Sequence, residues 1–413
     1  MNRLNIFLSG VCLVFFSISC NNNNPKVQER VSIIEIEKSL ENFHIESLSS
    51  YSSQIHYVKL ETTEKSLVTE GIKQLFIEDN KFFVWDQDAF LKVFDANNGK
   101  YLFNIGKYGQ GPGELPYLSS VDINPKEKRV LLCYGPIVNE FNFEGVFLSR
   151  VEKPIIDSTE TVSYNVVLLD KNLFAAGIRA HTEKQKHAIV IFDRNKQILA
   201  SLNSFDDPKQ HHSIKVWDSF KQTGHFSRDV ADIRFYRGIT DTIYLYNPVK
   251  KNFQADAVFS FGKHRSTHSF TPGTENPDVI ELASALIPEN KQYAFYEFFT
   301  KRASPEPYKT EVWFNQQMHS VLSNNIFGIY DKKKSELRYL LQAIPGIPGL
   351  KNDLDNGIPF WPQYISSDGS MIDYYQSYKF IELTQKLDNP DKSFLEFVQT
   401  CSEEDNPVVI IVK

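Results

Sequence analysis

Cysteine is scarce: there are four in 413 residues, Cys12, Cys20, Cys133 and Cys401. Two lie within the first twenty positions. The remaining two make neither a disulfide framework nor a zinc-ligand spacing. Each reads as a small buried apolar residue, a single Cys133–Cys401 bridge being the alternative. A basic excess is also lacking. Lys and Arg total 45 against 51 Asp and Glu, a net charge of −6, which argues against a general nucleic-acid binder. No apolar run after residue 20 reaches the roughly 18 residues of a membrane-spanning helix. Also missing are a Gly-x-Ser-x-Gly elbow, a His-Glu-x-x-His pair and a Gly-Lys-Ser/Thr phosphate loop. These absences exclude chemistry carried by a local motif, but not an enzyme assembled from scattered residues. What is abundant is aromatic: 32 Phe and 19 Tyr, in a chain 41% hydrophobic and 23% charged. That composition is globular and leans towards β structure.

The first twenty residues form an address. Arg3 precedes a nearly continuous apolar stretch, Leu4 to Ile18, and small residues lead to Ser19-Cys20. This is the layout of a secretory signal. Its end, Ser17-Ile18-Ser19-Cys20, resembles a bacterial lipobox, with Ser17 where Leu is usual. Asn21 to Asn24 and Pro25 then read as a polar tether. The expectation is a signal over 1–19, lipidation at Cys20, a tether and N-terminal extension over 20–50, and one folded domain over 51–413. The partner implied at this end is a membrane, reached through the lipid. The stretch after Cys20 lacks an acidic run, which favours the periplasmic side of an outer membrane over the surface.

A unit of strand, polar turn and strand recurs through the rest. The aromatic before the turn falls at Phe94, Phe141, Phe192, Tyr246 and Tyr330, with gaps of 47, 51, 54 and 84 residues. A period of about 45 to 50 with strands throughout is the signature of propeller blades, which bury their faces only when stacked in a ring. The expected fold class is all-β: a six-bladed β-propeller with short helical insertions on one face. The sixth blade combines Tyr364 to Ser366, Met371 to Tyr375 and Pro407 to Val412 with Ile55 to Leu60 from the other end of the chain. The insertions are expected near 266–292, with a helix over Pro277 to Leu286, and near 377–403, with helices over Ser377 to Leu387 and Lys392 to Cys401.

Four segments carry a resemblance. Ile105-Gly-Lys-Tyr-Gly-Gln-Gly-Pro-Gly-Glu-Leu115, Val58-Lys-Leu-Glu-Thr-Thr63, Asp241-Thr-Ile-Tyr244 and Asp405-Asn-Pro-Val408 together resemble the bacterial 6-bladed β-propeller lipoproteins. That group is similar in fold to NHL-repeat propellers. The resemblance implies a fold and an envelope location, and no particular reaction.

In a propeller, the links from second to third strand and from fourth strand to the next blade share one face, and ligands usually bind there. The expected rim on that face combines Arg179, His181, His187, Arg237, Lys263, His264 and Arg265 with Glu114, Trp361 and Tyr364. A cationic, aromatic rim on an acidic protein fits an anionic or sugar-like ligand. No metal or other cofactor is expected: His211-His212 and the Asp86/Asp88 pair lack a ligand set. The glycines of Gly109 to Glu114 suit a tight turn more simply than a ligand cradle. The leading functional expectation is a non-catalytic, membrane-anchored lipoprotein that binds a glycan, a peptide or an envelope protein. The alternative is a propeller enzyme, either a lactonase-like hydrolase or a polysaccharide lyase. Glu78 and Asp122 are its few acidic candidates, and His181 with Arg179 and Arg237 its base and cations.

Overall fold

The computed structural model describes residues 31–413 except 69–70, 87, 157–159, 181–185, 204–224, 229–231, 237–240, 266–277, 284–286 and 315–316. The recurring turn has a simple physical basis. The aromatic that ends each third strand is followed by Asp or Asn, whose side-chain oxygen accepts two backbone N–H groups of the turn. Asp95 takes those of Asn97 and Asn98 (2.8 and 3.3 Å), and Asn142 those of Glu144 and Val146 (3.1 and 2.8 Å). Asp193, Asn247 and Asp331 do the same in the next three copies. A short side chain that satisfies its own turn stops one strand and starts the next.

Six four- or five-stranded sheets follow one another around a ring, the first three built from consecutive strands. Blade one is Gln74–Glu78, Lys81–Trp85, Leu91–Asp95 and Tyr101–Ile105. Blade two runs Ser120–Asn124 to Phe147–Glu152, and blade three Glu160–Leu168 to Ile198–Asn203. Blade four begins at His225–Arg228 and ends at Asn252–Ser260; blade five begins at Ile280–Leu282 and ends at Glu336–Leu340. Inner strands are covered on both faces by neighbouring blades, so they read as apolar runs: all of Val408–Val412 is buried. Outer strands alternate, as Phe147–Glu152 does.

Three features depart from the sequence expectation. Ser32–Glu35 and Phe43–His44 add parallel fifth strands to the outer edges of blades four and five. The segment expected as a helix over Pro277 to Leu286 contains a strand instead. Ile280–Leu282 pairs with Phe298 to Thr300, because Ile280 fills the core between blades four and five. The extra length of blade five lies mainly in a hairpin, Tyr308–Phe314 with Gln317–Ser323, set between its second and third strands. In blade six, the helices Ser377–Thr384 and Lys392–Val398 form as expected.

Blade six closes the ring. Ile55–Lys59 pairs antiparallel with Val408–Val412, Ile55 opposite Val412 and Lys59 opposite Val408. Two of the motifs noted above meet beside this seam. Lys59 Nζ lies 3.0 Å from Asp405 and donates to the Thr400 carbonyl at 2.6 Å. The Asn406 amide donates to the carbonyls of Glu61 (2.7 Å) and Ser66 (2.9 Å), and its oxygen accepts from the Val68 N–H at 2.8 Å. Asn406 is 1% exposed, so its loss removes three buried hydrogen bonds: the Ser66 carbonyl and the Val68 N–H lose this partner, while the Glu61 carbonyl keeps the Ser66 hydroxyl at 2.6 Å. Asn406→Ala is therefore expected to lower unfolding stability in urea by about 2–4 kcal/mol. A loss below about 1 kcal/mol would show that the clasp is dispensable.

The contact between blades five and six contains one buried carboxylate with no cation beside it. Asp373 accepts the N–H groups of Trp361 (3.2 Å) and Tyr374 (2.8 Å). Tyr375 and Gln363 side chains also hydrogen-bond to it, yet burial pushes its carboxyl up from 3.8 to about 7. The neutral acid thus favours the folded state below pH 3.8, and that contribution is lost as pH rises to about 7. In a pH series of urea melts, Asp373→Asn should remove a decline of about 1.4 kcal/mol per pH unit across this window. Parallel profiles for the two proteins would refute the assignment.

Candidate binding face

The two ends of the central channel differ. At the end where each innermost strand turns into the second, the strands are tied across blades. Arg228 of blade four reaches Asp122 of blade two, with Nη2 at 3.1 and 3.0 Å from the two carboxylate oxygens, and also donates to the Leu168 carbonyl of blade three. Asp122 accepts the Leu168 N–H at 2.9 Å. Glu78 of blade one accepts the Tyr364 hydroxyl (2.7 Å) and the Ser367 N–H (2.8 Å) of blade six. Burial raises the Glu78 carboxyl above its ordinary range. Glu289 of blade five is held by Ser227 and Arg234 of blade four and by Lys332. These contacts link all six blades in pairs or triples at one end.

The opposite face carries the long links. The blade-five hairpin and the blade-six helices, both between second and third strands, rise there from neighbouring blades. The link from blade one to blade two is the glycine-rich segment. Gly109 and Gly113 have φ of +150° and +74°; a Cβ on Gly109 would meet the Glu114 carboxylate, and one on Gly113 the Phe147 ring. Glu114 pairs with Lys107 at 2.8 Å and accepts the Gly111 N–H at 2.8 Å, which hold its carboxyl below the usual range. Arg150 donates to the Gly111 carbonyl at 3.0 Å and to Asn139 at 3.0 Å. The segment is thus a braced turn, and Glu114 is one of its struts. It displays aromatic rings that the sequence reading passed over: Tyr108 is 74% and Tyr117 51% exposed. Tyr117 meets Tyr134 edge-on at 4.5 Å.

Among the described residues, the expected rim side chains each have their own partners. Lys263 lies 3.6 Å from Glu37, Arg265 2.9 Å from Asp241, and His264 Nδ1 2.7 Å from the Asp278 carbonyl. Trp361 is in the core, edge-on to Phe295 and Phe327 at 5.5 and 5.0 Å, because the chain around it replaces part of a short inner strand. Tyr364 is half-buried at the tied end, where desolvation and the neighbouring Glu78 raise its phenol well above its ordinary range. His187 begins the third strand of blade three and is half-buried. The side chain of Arg179, together with His181, Arg237 and His211-His212, lies outside the described residues, as does Cys20. Asp86 and Asp88 both pair with the buried Lys92, Asp86 at 2.7 Å. Cys133 and Cys401 are free thiols.

A further concavity lies at the foot of the hairpin, lined by Glu306, Asn325, Ile326, Phe327, Leu340 and Gln342 among others. Beside it, Asn325 donates to the buried Glu297 at 2.6 Å, and burial raises that carboxyl. Among the described residues no three His, Cys, Asp or Glu side chains are grouped to hold a metal ion.

Residues 31–413, the whole ring with its N-terminal strands, match the model of a family described as Domain of unknown function (DUF4934). The chain belongs to that family. Among solved structures, this DUF4934 propeller is similar to a Bacteroides fragilis NCTC 9343 protein described as exported. The two share 17% identity over 92% of this chain and 99% of that one, with a TM-score of 0.61. A DUF4221 member from Bacteroides vulgatus ATCC 8482 is more distant, at 11% identity over 87% and 96% of the two chains and a TM-score of 0.47. Among curated proteins, none matches this chain.

The tied end of the DUF4934 ring makes its own prediction. Arg228→Met leaves Asp122 buried without its cation and should cost about 3–5 kcal/mol in chemical denaturation. Adding Asp122→Leu should recover a large part of that loss. Additive losses would show that the two residues act separately.

Proposed function

We propose that the protein is a lipid-anchored envelope protein whose propeller binds a ligand on the face bearing the hairpin and the helices, as a binding module and not as a catalyst. One observation carries the reading. Two insertions rise from neighbouring blades on the same face, while the channel end of the other face is tied by side chains. Long links over a rigid scaffold are where binding surfaces are built. The lipobox-like Ser17-Ile18-Ser19-Cys20 supports the anchor, and an exported protein of similar fold supports the envelope location. The polar stretch after Cys20 favours the periplasmic side of an outer membrane.

Two measurements test this. In cells fed labelled palmitate, Cys20→Ser should leave the protein unlabelled and release it from the membrane fraction; unchanged labelling refutes the anchor. A photo-crosslinking residue at Leu322 or Tyr378, on the insertion face, should trap a partner or ligand. The same residue at Asn97 or Asn195, in turns of the other face, should not. Equal yields from both faces would overturn the choice of face.

A further inference from the structure

Neighbouring blades four and five carry basic turns on the face of the tied channel end. Their links from third to fourth strand are Pro248-Val-Lys-Lys251 and Lys332-Lys-Lys-Ser335. Lys332 is held in the wall by the buried Glu289 at 2.6 Å. Lys250, Lys251, Lys333 and Lys334 are exposed. In blade four no acid interrupts the chain from Thr242 to Ala255. Among the described residues, no carboxylate lies within ion-pair distance of Lys250, Lys251 or Lys333. Lys334 lies 3.7 Å from Asp331, whose carboxylate is drawn in at 1% exposed and accepts two N–H groups of its own turn. Glu336 is the exposed acid beside the second turn. Val249, between Pro248 and the two lysines of blade four, is 90% exposed.

The chain enters the fold at the same blade. Ser32–Glu35 lies on the outer edge of blade four, parallel to its fourth strand, with Ser32 beside Ala257 and Glu35 beside Ser260. That fourth strand starts at Asn252, directly after Lys251. The N-terminal end of the added strand therefore points back along blade four towards the basic turn, about 17 Å away at 3.3–3.4 Å per residue. Eleven residues separate Cys20 from Ser32, a reach of up to about 40 Å when extended.

We infer that these two turns rest on the anionic headgroups of the membrane that holds the lipid, so that the tied face lies towards the bilayer and the insertion face away from it. The inference rests on the proposed anchor at Cys20 and gives the anchored ring its orientation. A lipid on a polar tether fixes distance to the membrane but selects no face. Exposed lysines do select one, because each is drawn to an anionic surface once it lies within a Debye length of it. The tether keeps the turns within that range. Val249 adds a small apolar tip of the kind that enters the headgroup layer beside basic residues. The lysines lie on the outer turns of two blades, a spread that suits a broad charged plane.

The test uses the lipidated full-length protein on vesicles of phosphatidylcholine, alone or mixed with phosphatidylglycerol. Flotation with the vesicles reads the anchor. Acylation by a membrane-impermeant succinimidyl ester, followed by mass spectrometry, reads the orientation. On the mixed vesicles Lys250, Lys251, Lys333 and Lys334 should react about threefold or more slowly than on phosphatidylcholine, and high salt should remove the difference. Lys351 and Lys392, on the insertion face, should react alike on both. Joint Lys250→Glu and Lys251→Glu should release Lys333 and Lys334 from protection with an unchanged melting temperature. Flotation on both lipids with equal acylation would overturn the docking and leave the anchor. Protection of Lys351 and Lys392 instead would overturn the orientation and the proposed binding face together. Flotation with the mixed vesicles alone, with those four lysines protected, would support the docking and refute the anchor. Flotation with neither would defeat both.

Discussion

The fold depends on one seam. A ring of stacked sheets has no free end only if some blade takes strands from both termini, and here blade six does so by pairing Ile55–Lys59 with Val408–Val412. Blades one and six are each covered on both sides only once that seam is made, since each blade buries its faces against its neighbours. The side chains around the seam fit this demand. Asn406 bonds three backbone groups of the link that leads out of blade six into blade one, and Lys59 ties the strand before that link to the segment after the second helix. The clasp therefore joins ring closure, the insertion of blade six and the entry to blade one at a single point.

The tied channel end extends the same logic inward. Charged groups would be costly in the middle of a ring, yet Asp122, Arg228, Glu78 and Glu289 are all found there with partners from other blades. A pair such as Arg228–Asp122 adds little net stability over an apolar substitute. It does fix which blades face each other across the channel, because only one relative position of blades two, three and four satisfies Asp122, Arg228 and Leu168 at once. Polar groups of this kind specify the ring's geometry at one end. The other end is left to the long links.

Much of this was legible in the sequence, for reasons that can be named. The strands of blades one to three lie close to where alternation and turn residues put them, because each is five or more residues long and the third and fourth of each blade are joined by an Asp- or Asn-led turn. The seam was legible because Val408–Val412 is an unbroken apolar run with no partner nearby in sequence. Ser32–Glu35 and Phe43–His44 were not, being four and two residues long and held by edges that exist only after the blades form. The strand Ile280–Leu282 was hidden because a three-residue strand leaves no period to read, and the acidic residues around it resemble a helix start. The candidate site was less legible than the fold. Charge along the sequence pointed to a cationic rim, but Lys263 and Arg265 find Glu37 and Asp241, which lie far from them in sequence. Tyr108 and Tyr117 carried a weak signal, two tyrosines flanking a run of glycines, and only the braced loop shows them exposed.

The two added parallel strands also set an order of events. Ser32–Glu35 and Phe43–His44 are synthesised first, yet they pair with Ala257 to Ser260 and with Tyr339 and Leu340, and Ile55–Lys59 waits for the last residues of the chain. Contacts this distant in sequence are slow to form, since loop closure precedes any gain from pairing. The growing chain therefore carries a leading segment whose three strand edges are met in turn, the last only when synthesis is nearly complete. A chain that ends even a few residues early keeps the partners of its first two strands but has none for Ile55–Lys59, and its ring stays unlatched.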